Sequence, residues 1–347
     1  MARLSERELA ANIKSGRLEN TYLFYGNEGY LKRLYKDRII KKAVSDFADF
    51  NLHKFDRSVK MDDLVAACDS MPMMSEKSCV VLSDYNFSTA QDSEYKQLIE
   101  LIEHPNSTCI LILTYDNAEI PTSKTKKAKD LVLAVEKHGC VVNFEHKNDH
   151  ELADIAICRA SKQEVVLQPT VARKIVETCG SDIENLLTEV DKLCAYVGKG
   201  YATEQDIDEV MVRTVEASAF ALAGAVCSRR RDDAMKICAD LFDLKTEPIV
   251  IIGALSSVFV NIYRVKMAEN EGLRYDDIAQ PFGYGKMVFK LKNAASYGRN
   301  MTRSMALDAL EILRDADIKL KTSSSNGRVI VEKTLVRLFA LASGEEL

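Results

Sequence analysis

The sequence predicts an α/β domain built on a parallel sheet, followed by a remainder that is entirely helical. Three observations carry this. As far as Glu145, short apolar runs alternate with amphipathic helical patterns. The first apolar run ends in a glycine turn at a helix start, and beyond Glu145 the strand signal stops while helical periodicity continues. The 347 residues, 47% of them hydrophobic, suffice for two or three domains with a core in each.

The first strand is expected over 21–26, where Tyr22-Leu23-Phe24-Tyr25-Gly26 reads as a buried run, and it leads into a helix over 28–47. Further strands are expected over 51–57, 78–84, 108–115 and 139–145, each rich in Val, Ile, Leu, Cys or Phe. Amphipathic stretches near 61–70, 91–104 and 124–138 lie between them. Five strands alternating with four helices make a parallel sheet with helices on both faces. Helices then fit 149–163, 169–179, 182–197 and 203–212, with Thr203 followed by Asp206 as an N-cap signal and Gly180 and Gly198 as breaks. A last block offers helices near 216–229, 231–243, 247–270, 284–297, 302–321 and 327–341, with Pro248 just inside a helix start. The expected domains are 1–146, 147–213 and 214–347.

Composition narrows the function. Lys and Arg number 47 against 52 Asp and Glu, for a formal charge of −5, so any contact with DNA is local or shared with partners. The first residues have no apolar core of a signal peptide, and no apolar run approaches the ~18 residues of a membrane span. A cytoplasmic protein without a membrane role is expected. The nine cysteines form no C-x-x-C pair and read as buried, reduced thiols.

The run from Gly26 into Asn27-Glu28-Gly29-Tyr30-Leu31-Lys32-Arg33 sits where a P-loop would. In the spacing G-x-x-x-x-G-K-[ST], glycines let backbone N–H groups cradle phosphates, the Lys pairs with them and the hydroxyl holds Mg²⁺. In register from Gly26, the second glycine is Leu31, the lysine is Lys32 and the hydroxyl residue is Arg33. Leu31 is expected to fill the space of the phosphate, and Arg33 cannot replace a metal-ligating hydroxyl. The strand Ser78-Cys79-Val80-Val81-Leu82-Ser83-Asp84 ends in one acid, with Tyr85 where a hydrolytic glutamate would follow. Asp84 reads as a strand-end contact rather than a metal ligand.

Three segments carry a family resemblance. Tyr22-Leu23-Phe24-Tyr25-Gly26-Asn27-Glu28-Gly29-Tyr30-Leu31 resembles the opening of the delta subunit family of bacterial DNA polymerase III, whose phosphate loop is also degenerate. Gly180-Ser181-Asp182-Ile183-Glu184-Asn185-Leu186-Leu187-Thr188-Glu189-Val190-Asp191-Lys192-Leu193 is similar to that family's lid helix, and Leu313-Arg314-Asp315-Ala316-Asp317-Ile318-Lys319-Leu320-Lys321-Thr322 to its D-x-x-L-K-T/S pattern. The segments fall in three domains in the right order. The resemblance implies a degenerate P-loop, AAA+-like α/β domain, a helical lid and an all-α collar. It also implies an accessory subunit of a DNA-directed DNA polymerase (nucleotidyltransferase) holoenzyme, without intrinsic catalysis or cofactor. Such a subunit binds the sliding clamp (beta subunit) and helps open it for loading onto primed DNA. Its partners are the motor (gamma/tau) and delta-prime subunits, in the bacterial cytoplasm at the nucleoid-associated replisome.

An independent AAA+-type ATPase with a divergent phosphate loop is an alternative, as is a related loader subunit. Those related subunits usually hold a zinc-binding cysteine cluster and a Ser-Arg-Cys motif. Here Cys227-Ser228-Arg229 has the same residues in another order.

In the delta family an apolar pair just before the third strand carries the clamp-binding element. The matching stretch is Met71-Pro72-Met73-Met74-Ser75-Glu76-Lys77, which points to Met73 and Met74, with Pro72 setting the turn and Met71 beside it. Met-Met departs from the family's usual Leu or Phe, although thioethers suit an adaptable pocket. Burying two such side chains yields about 3–6 kcal/mol, whereas nanomolar binding needs about 12, so other surface residues must contribute.

Other constellations are weaker. His146 and His150 are four apart among acids, but Lys147 breaks the H-E-x-x-H order and a solvated domain junction is favoured. Lys124, Lys126, Lys127 and Lys129 open a helix and either contact phosphate or solvate one face, and Arg229-Arg230-Arg231 is equally ambiguous. Tyr284, Lys286, Phe289, Lys290, Lys292, Tyr297 and Arg299 interleave aromatic and basic residues, which makes Lys286, Lys290, Lys292 and Arg299 candidate DNA contacts. The aromatics themselves read rather as helix core.

Overall fold

The computed structural model describes residues 3–44, 47–86, 90–116, 125–284, 288–323 and 325–344, with the side chain of Phe289 outside that set. The chain divides into two compact units, Met1–His146 and Lys147–Leu347.

The first unit runs α1 (Glu6–Ser15), β1 (Thr21–Tyr25), α2 (Gly29–Ala43), α3 (Ala48–Asn51), β2 (Leu52–Phe55), α4 (Met61–Asp69), β3 (Ser78–Ser83), α5 (Asp92–Glu103), β4 (Cys109–Thr114), α6 (Lys126–His138) and β5 (Cys140–Asn143). The sheet is parallel throughout, in the order β2-β3-β4-β1-β5. Each of its central strands is buried on both faces, so its sequence is nearly continuous in apolar residues. Leu23, Val80, Leu111 and Val141 point to the face covered by α4, α5 and α6, where Leu64, Leu98 and Leu131 meet them. Tyr22 and Phe24, displaced by one residue, point to the other face. There the rings of Phe24, Phe144 and Tyr35 pack in sequence, Tyr35 coming from α2.

The second unit runs α7 (Asp149–Ser161), β6 (Val165–Val166), α8 (Pro169–Cys179), α9 (Ile183–Val197), β7 (Gly200–Tyr201), α10 (Glu204–Val210), α11 (Val215–Cys227), α12 (Arg231–Asp243), α13 (Pro248–Asn270), α14 (Tyr275–Ala279), α15 (Val288–Tyr297), a 3₁₀ turn at Gly298–Asn300, α16 (Arg303–Thr322) and α17 (Gly327–Ser343). Local chemistry sets the boundaries. Thr203 and Asp206 cap α10 reciprocally, Asn148 and Glu151 do the same for α7, and Pro169 and Pro248 occupy first-turn positions of α8 and α13. By length and composition α13 passes for a membrane span. Its Ile251, Leu255, Phe259 and Ile262 instead form the middle of the helical core, against α11, α15, α16 and α17.

The sequence reading needs four corrections. The strand expected over 51–57 is only Leu52–Phe55, because Asn51 ends a short helix. The expected helix over 284–297 is observed from Val288, and Tyr284 lies outside it. The helices α1, α3 and α14 are absent from the expected set, although α1 does carry a signal, the Ser5–Glu8 capping box ahead of buried Leu9 and Ile13. Strand signal does recur past Glu145, as the parallel pair Val165–Val166 and Gly200–Tyr201, which is too short to show a two-residue period.

In α9 the family-like segment has a structural role. Asp182 caps the helix through the Asn185 N–H, while Ile183, Leu186, Val190 and Leu193 are buried. Asp191 accepts a two-pronged bond from Arg159 of α7, at 2.7 and 2.6 Å, and a third bond from Gln163 at 2.6 Å. Arg159 holds the Asp191 carboxyl below its ordinary range, with Gln163 assisting. A depressed carboxyl stabilises the fold above its unfolded value of about 4, and that contribution disappears as pH falls through the folded value. Both partners are partly exposed, so Asp191→Asn is expected to cost no more than about 1 kcal/mol near neutral pH. Urea melts at several pH values should show the cost shrinking as the pH falls below about 4.

Candidate functional site

The carboxyl ends of β1, β4 and β5 lie side by side, the place where ligands sit on open parallel sheets. Here the chain fills that place itself. Gly26 has φ +107°, and a Cβ on it would stand 2.2 Å from the Phe144 carbonyl oxygen. Only glycine fits, because the segment after β5 lies directly on the loop: Phe144 N–H donates to Tyr25 O at 2.8 Å and Glu28 N–H to Phe144 O at 2.9 Å. Gly26→Ala is therefore expected to destabilise the unit by roughly 3 kcal/mol through combined strain and overlap, measurable by thermal melting.

The start of α2, which would receive a phosphate, is capped by a buried carboxylate. Glu28 accepts from the Tyr30 N–H at 3.3 Å and faces His146 Nδ1 at 3.3 Å. Lys32 is 2% exposed. Its Nζ donates to Gly26 O at 2.8 Å and to Tyr115 O at 2.6 Å, with Asp116 Oδ1 at 4.0 Å. Burial pulls the Lys32 ammonium below its ordinary value, opposed by Asp116, Asp84 and Glu28. Leu31 does not stand in the mouth of the loop, as the sequence suggested. It is buried, since the third residue of α2 turns toward the core, and Glu28 and Lys32 are what close the loop. Arg33 is exposed on the same helix.

The acid at the end of β3 is committed too. Asp84, at φ +54°, accepts the Asp116 N–H at 2.8 Å and so ties the ends of β3 and β4 together. Tyr85 is buried, and its carbonyl accepts the Tyr115 hydroxyl at 3.0 Å. Among the described residues no cluster of His, Cys, Asp or Glu could hold a metal. His146 meets Glu28, and His150 pairs with Asp154 at the surface.

A second candidate lies between α4 and β3. Met71, Met73 and Met74 are 90%, 54% and 79% exposed, and Met74 has a left-handed backbone at φ +52°. The loop is nevertheless held firmly. Asn51, itself buried, accepts the Met73 N–H on Oδ1 at 2.7 Å and donates from Nδ2 to Met73 O at 2.8 Å. Ser70 caps α4 by donating to Ala67 O, and Ser75 donates to Lys77 O. Sequence reading placed Met71, Pro72, Met73 and Met74 together but missed Asn51, which it put at the start of a strand. The signal was faint: one amide between Phe50 and the mixed stretch Leu52-His53-Lys54-Phe55.

The basic candidates disperse. Lys286 and Lys124 lie outside the described residues. Lys290 is bound to Glu216 at 2.8 Å, while Lys292 and Arg299 are exposed. Lys127 pairs with Asp92, Arg230 with Asp233, and Arg231 lies over the Phe339 ring. The two described aromatics of this segment are engaged within the fold: Tyr284 is buried against Asn261 and Arg264, and Tyr297 packs on Gly224. Eight of the nine cysteines are buried free thiols, Cys158 alone being exposed.

A P-loop-type parallel sheet whose phosphate loop is filled by the chain's own side chains, followed by a unit that is helical apart from the short β6–β7 pair, defines an AAA+-like fold with a degenerate phosphate site. Sequence profiles then identify the family. The profile described as DNA polymerase III, delta subunit matches residues 22–145, and a second profile, for the C-terminal domain of the same family, matches 216–338. The chain belongs to the DNA polymerase III delta subunit family. DNA polymerase III subunit delta of Bacillus subtilis (strain 168) is 24% identical over 336 residues, covering 94% of this chain and 95% of that protein. A probable DNA polymerase III subunit delta of Aquifex aeolicus (strain VF5) is 18% identical, covering 79% and 78%. In structure, the Bacillus subtilis DNA clamp loader delta protein matches with a TM-score of 0.73 at 23% identity, over 96% of this chain and 99% of that one, a likeness of fold.

Proposed function

We propose that this chain is the clamp-gripping subunit of a clamp loader, one that binds the sliding clamp and helps open it without binding or hydrolysing ATP. The observation that carries the proposal is the exposed Met73–Met74 pair, presented on a loop that Asn51 fixes from beneath, in a chain of the delta family. Residues 147–213 act as the lid and 214–347 as the collar that joins the motor (gamma/tau) and delta-prime subunits. Exposed Lys292 and Arg299 contact primed DNA within the assembled loader, which works at the replisome in the bacterial cytoplasm. The test is a titration with the cognate sliding clamp. Saturable binding of the purified chain supports the proposal, and no binding at tens of micromolar overturns it.

ATP separates this reading from that of an independent ATPase. Glu28 and Lys32 already satisfy the groups that a phosphate would use. Labelled ATP with Mg²⁺ is expected to show no saturable binding and no turnover. Micromolar binding lost in Lys32→Ala would mean that the loop opens for nucleotide.

A further inference from the structure

The methionine pair has apolar neighbours that come from another part of the chain. Phe47 and Phe50 are 47% and 60% exposed. They stand three residues apart, Phe47 at the N-cap of α3 and Phe50 within it. Nδ2 of Asn51 donates both to Phe47 O at 3.2 Å and to Met73 O at 2.8 Å, which keeps those two oxygens within about 6 Å of each other. The carboxamide is thereby saturated, with both donors and the oxygen in use. It leaves no buried polar group that a partner would have to satisfy. Both edges carry a bulky residue in the left-handed region, Phe47 at φ +58° and Met74 at φ +52°. Exposed Asp49 and Glu76 stand beside the apolar residues, giving the apolar centre and polar rim of a protein interface.

We propose that Phe47 and Phe50 form the second half of the clamp contact: Met73 and Met74 enter an apolar pocket on the clamp, and the two phenylalanines lie on the apolar surface beside it. The proposal rests on the reading that Met73 and Met74 grip the clamp. Two reasons favour the clamp over a second copy of this chain. A folded partner that buries Met73 arrives within a side chain's length of Phe47. Burying the two methionines supplies only about 3–6 kcal/mol, and large apolar side chains next to them are the kind that add to such a contact.

The experiment titrates the cognate clamp with the full chain as wild type, Phe50→Ser, Phe47→Asn with Phe50→Ser, and Met73→Ser with Met74→Ser. Asparagine is chosen at Phe47 because it tolerates the left-handed backbone. Phe50→Ser is expected to weaken binding about 10- to 100-fold and the Phe47/Phe50 pair roughly 100- to 1,000-fold, with melting temperatures near wild type. Phe50→Leu, which stays apolar, should keep most of the affinity, and if a serine variant folds poorly Phe50→Gln, a better helix former, takes its place with the same expected loss. Clamp affinity kept within about twofold in the phenylalanine variants, while the methionine variant collapses, overturns this proposal and leaves the methionine anchor standing. Retained affinity in every variant defeats the anchor reading itself. A wild-type dimer on gel filtration, abolished by the phenylalanine changes with clamp affinity intact, assigns the patch to self-association and also overturns the proposal.

Discussion

Replacing Met73 and Met74 together by Ser is expected to lower affinity for the sliding clamp by about two to four orders of magnitude, equivalent to the ~3–6 kcal/mol that burying two large apolar side chains supplies. The fold should not notice. Both side chains are more than half exposed, and the loop is held through the Met73 backbone, which serine retains. Titration by surface plasmon resonance with a thermal melt on the same sample checks both halves. A large fall in melting temperature with affinity kept in the folded fraction would show that the methionines are internal packing and that the clamp is gripped elsewhere.

Lys32→Ala should give the opposite pattern. In a working P-loop the lysine serves the nucleotide, and its removal costs binding. Here the ammonium group joins the carbonyls of Gly26 and Tyr115, and its removal takes the donor from one buried and one part-buried acceptor. The expected cost is about 2–4 kcal/mol of unfolding free energy, read from a urea or guanidinium titration, with nucleotide binding absent before and after. Lys32→Met, which keeps most of the stem, should lose the hydrogen bonds but less of the packing. A variant as stable as wild type would show that water replaces the ammonium without penalty.

Much of the architecture was legible because buried parallel strands and long amphipathic helices write strong patterns. Strands with continuous apolar runs, such as Ser78–Ser83 and Cys109–Thr114, could hardly be missed, and α8 was expected over the residues it occupies. Elements shorter than one period were not readable. The helix Ala48–Asn51 lasts barely one turn, and the β6–β7 pair has two residues in each strand. The loop's loss of phosphate ligands was visible in register, but its physical closure was not. It depends on Phe144, Tyr115 and His146, which are distant in sequence and brought in by the order of the strands. Asn51 escaped for a similar reason: its role is a contact 22 residues away.

The carboxylate at the head of α2 has a consequence for the chain as one part of a machine. Glu28 sits two residues from the N–H group it caps. A ligand on a short tether already competes at millimolar effective concentration, and one fixed within a folded turn competes at far higher values. Nucleotide at cellular, millimolar levels therefore meets an occupant that does not dissociate while the fold persists. The geometry of this unit is therefore expected not to respond to nucleotide. On the proposed function it would be a fixed jaw, against which parts that do respond to nucleotide could pull.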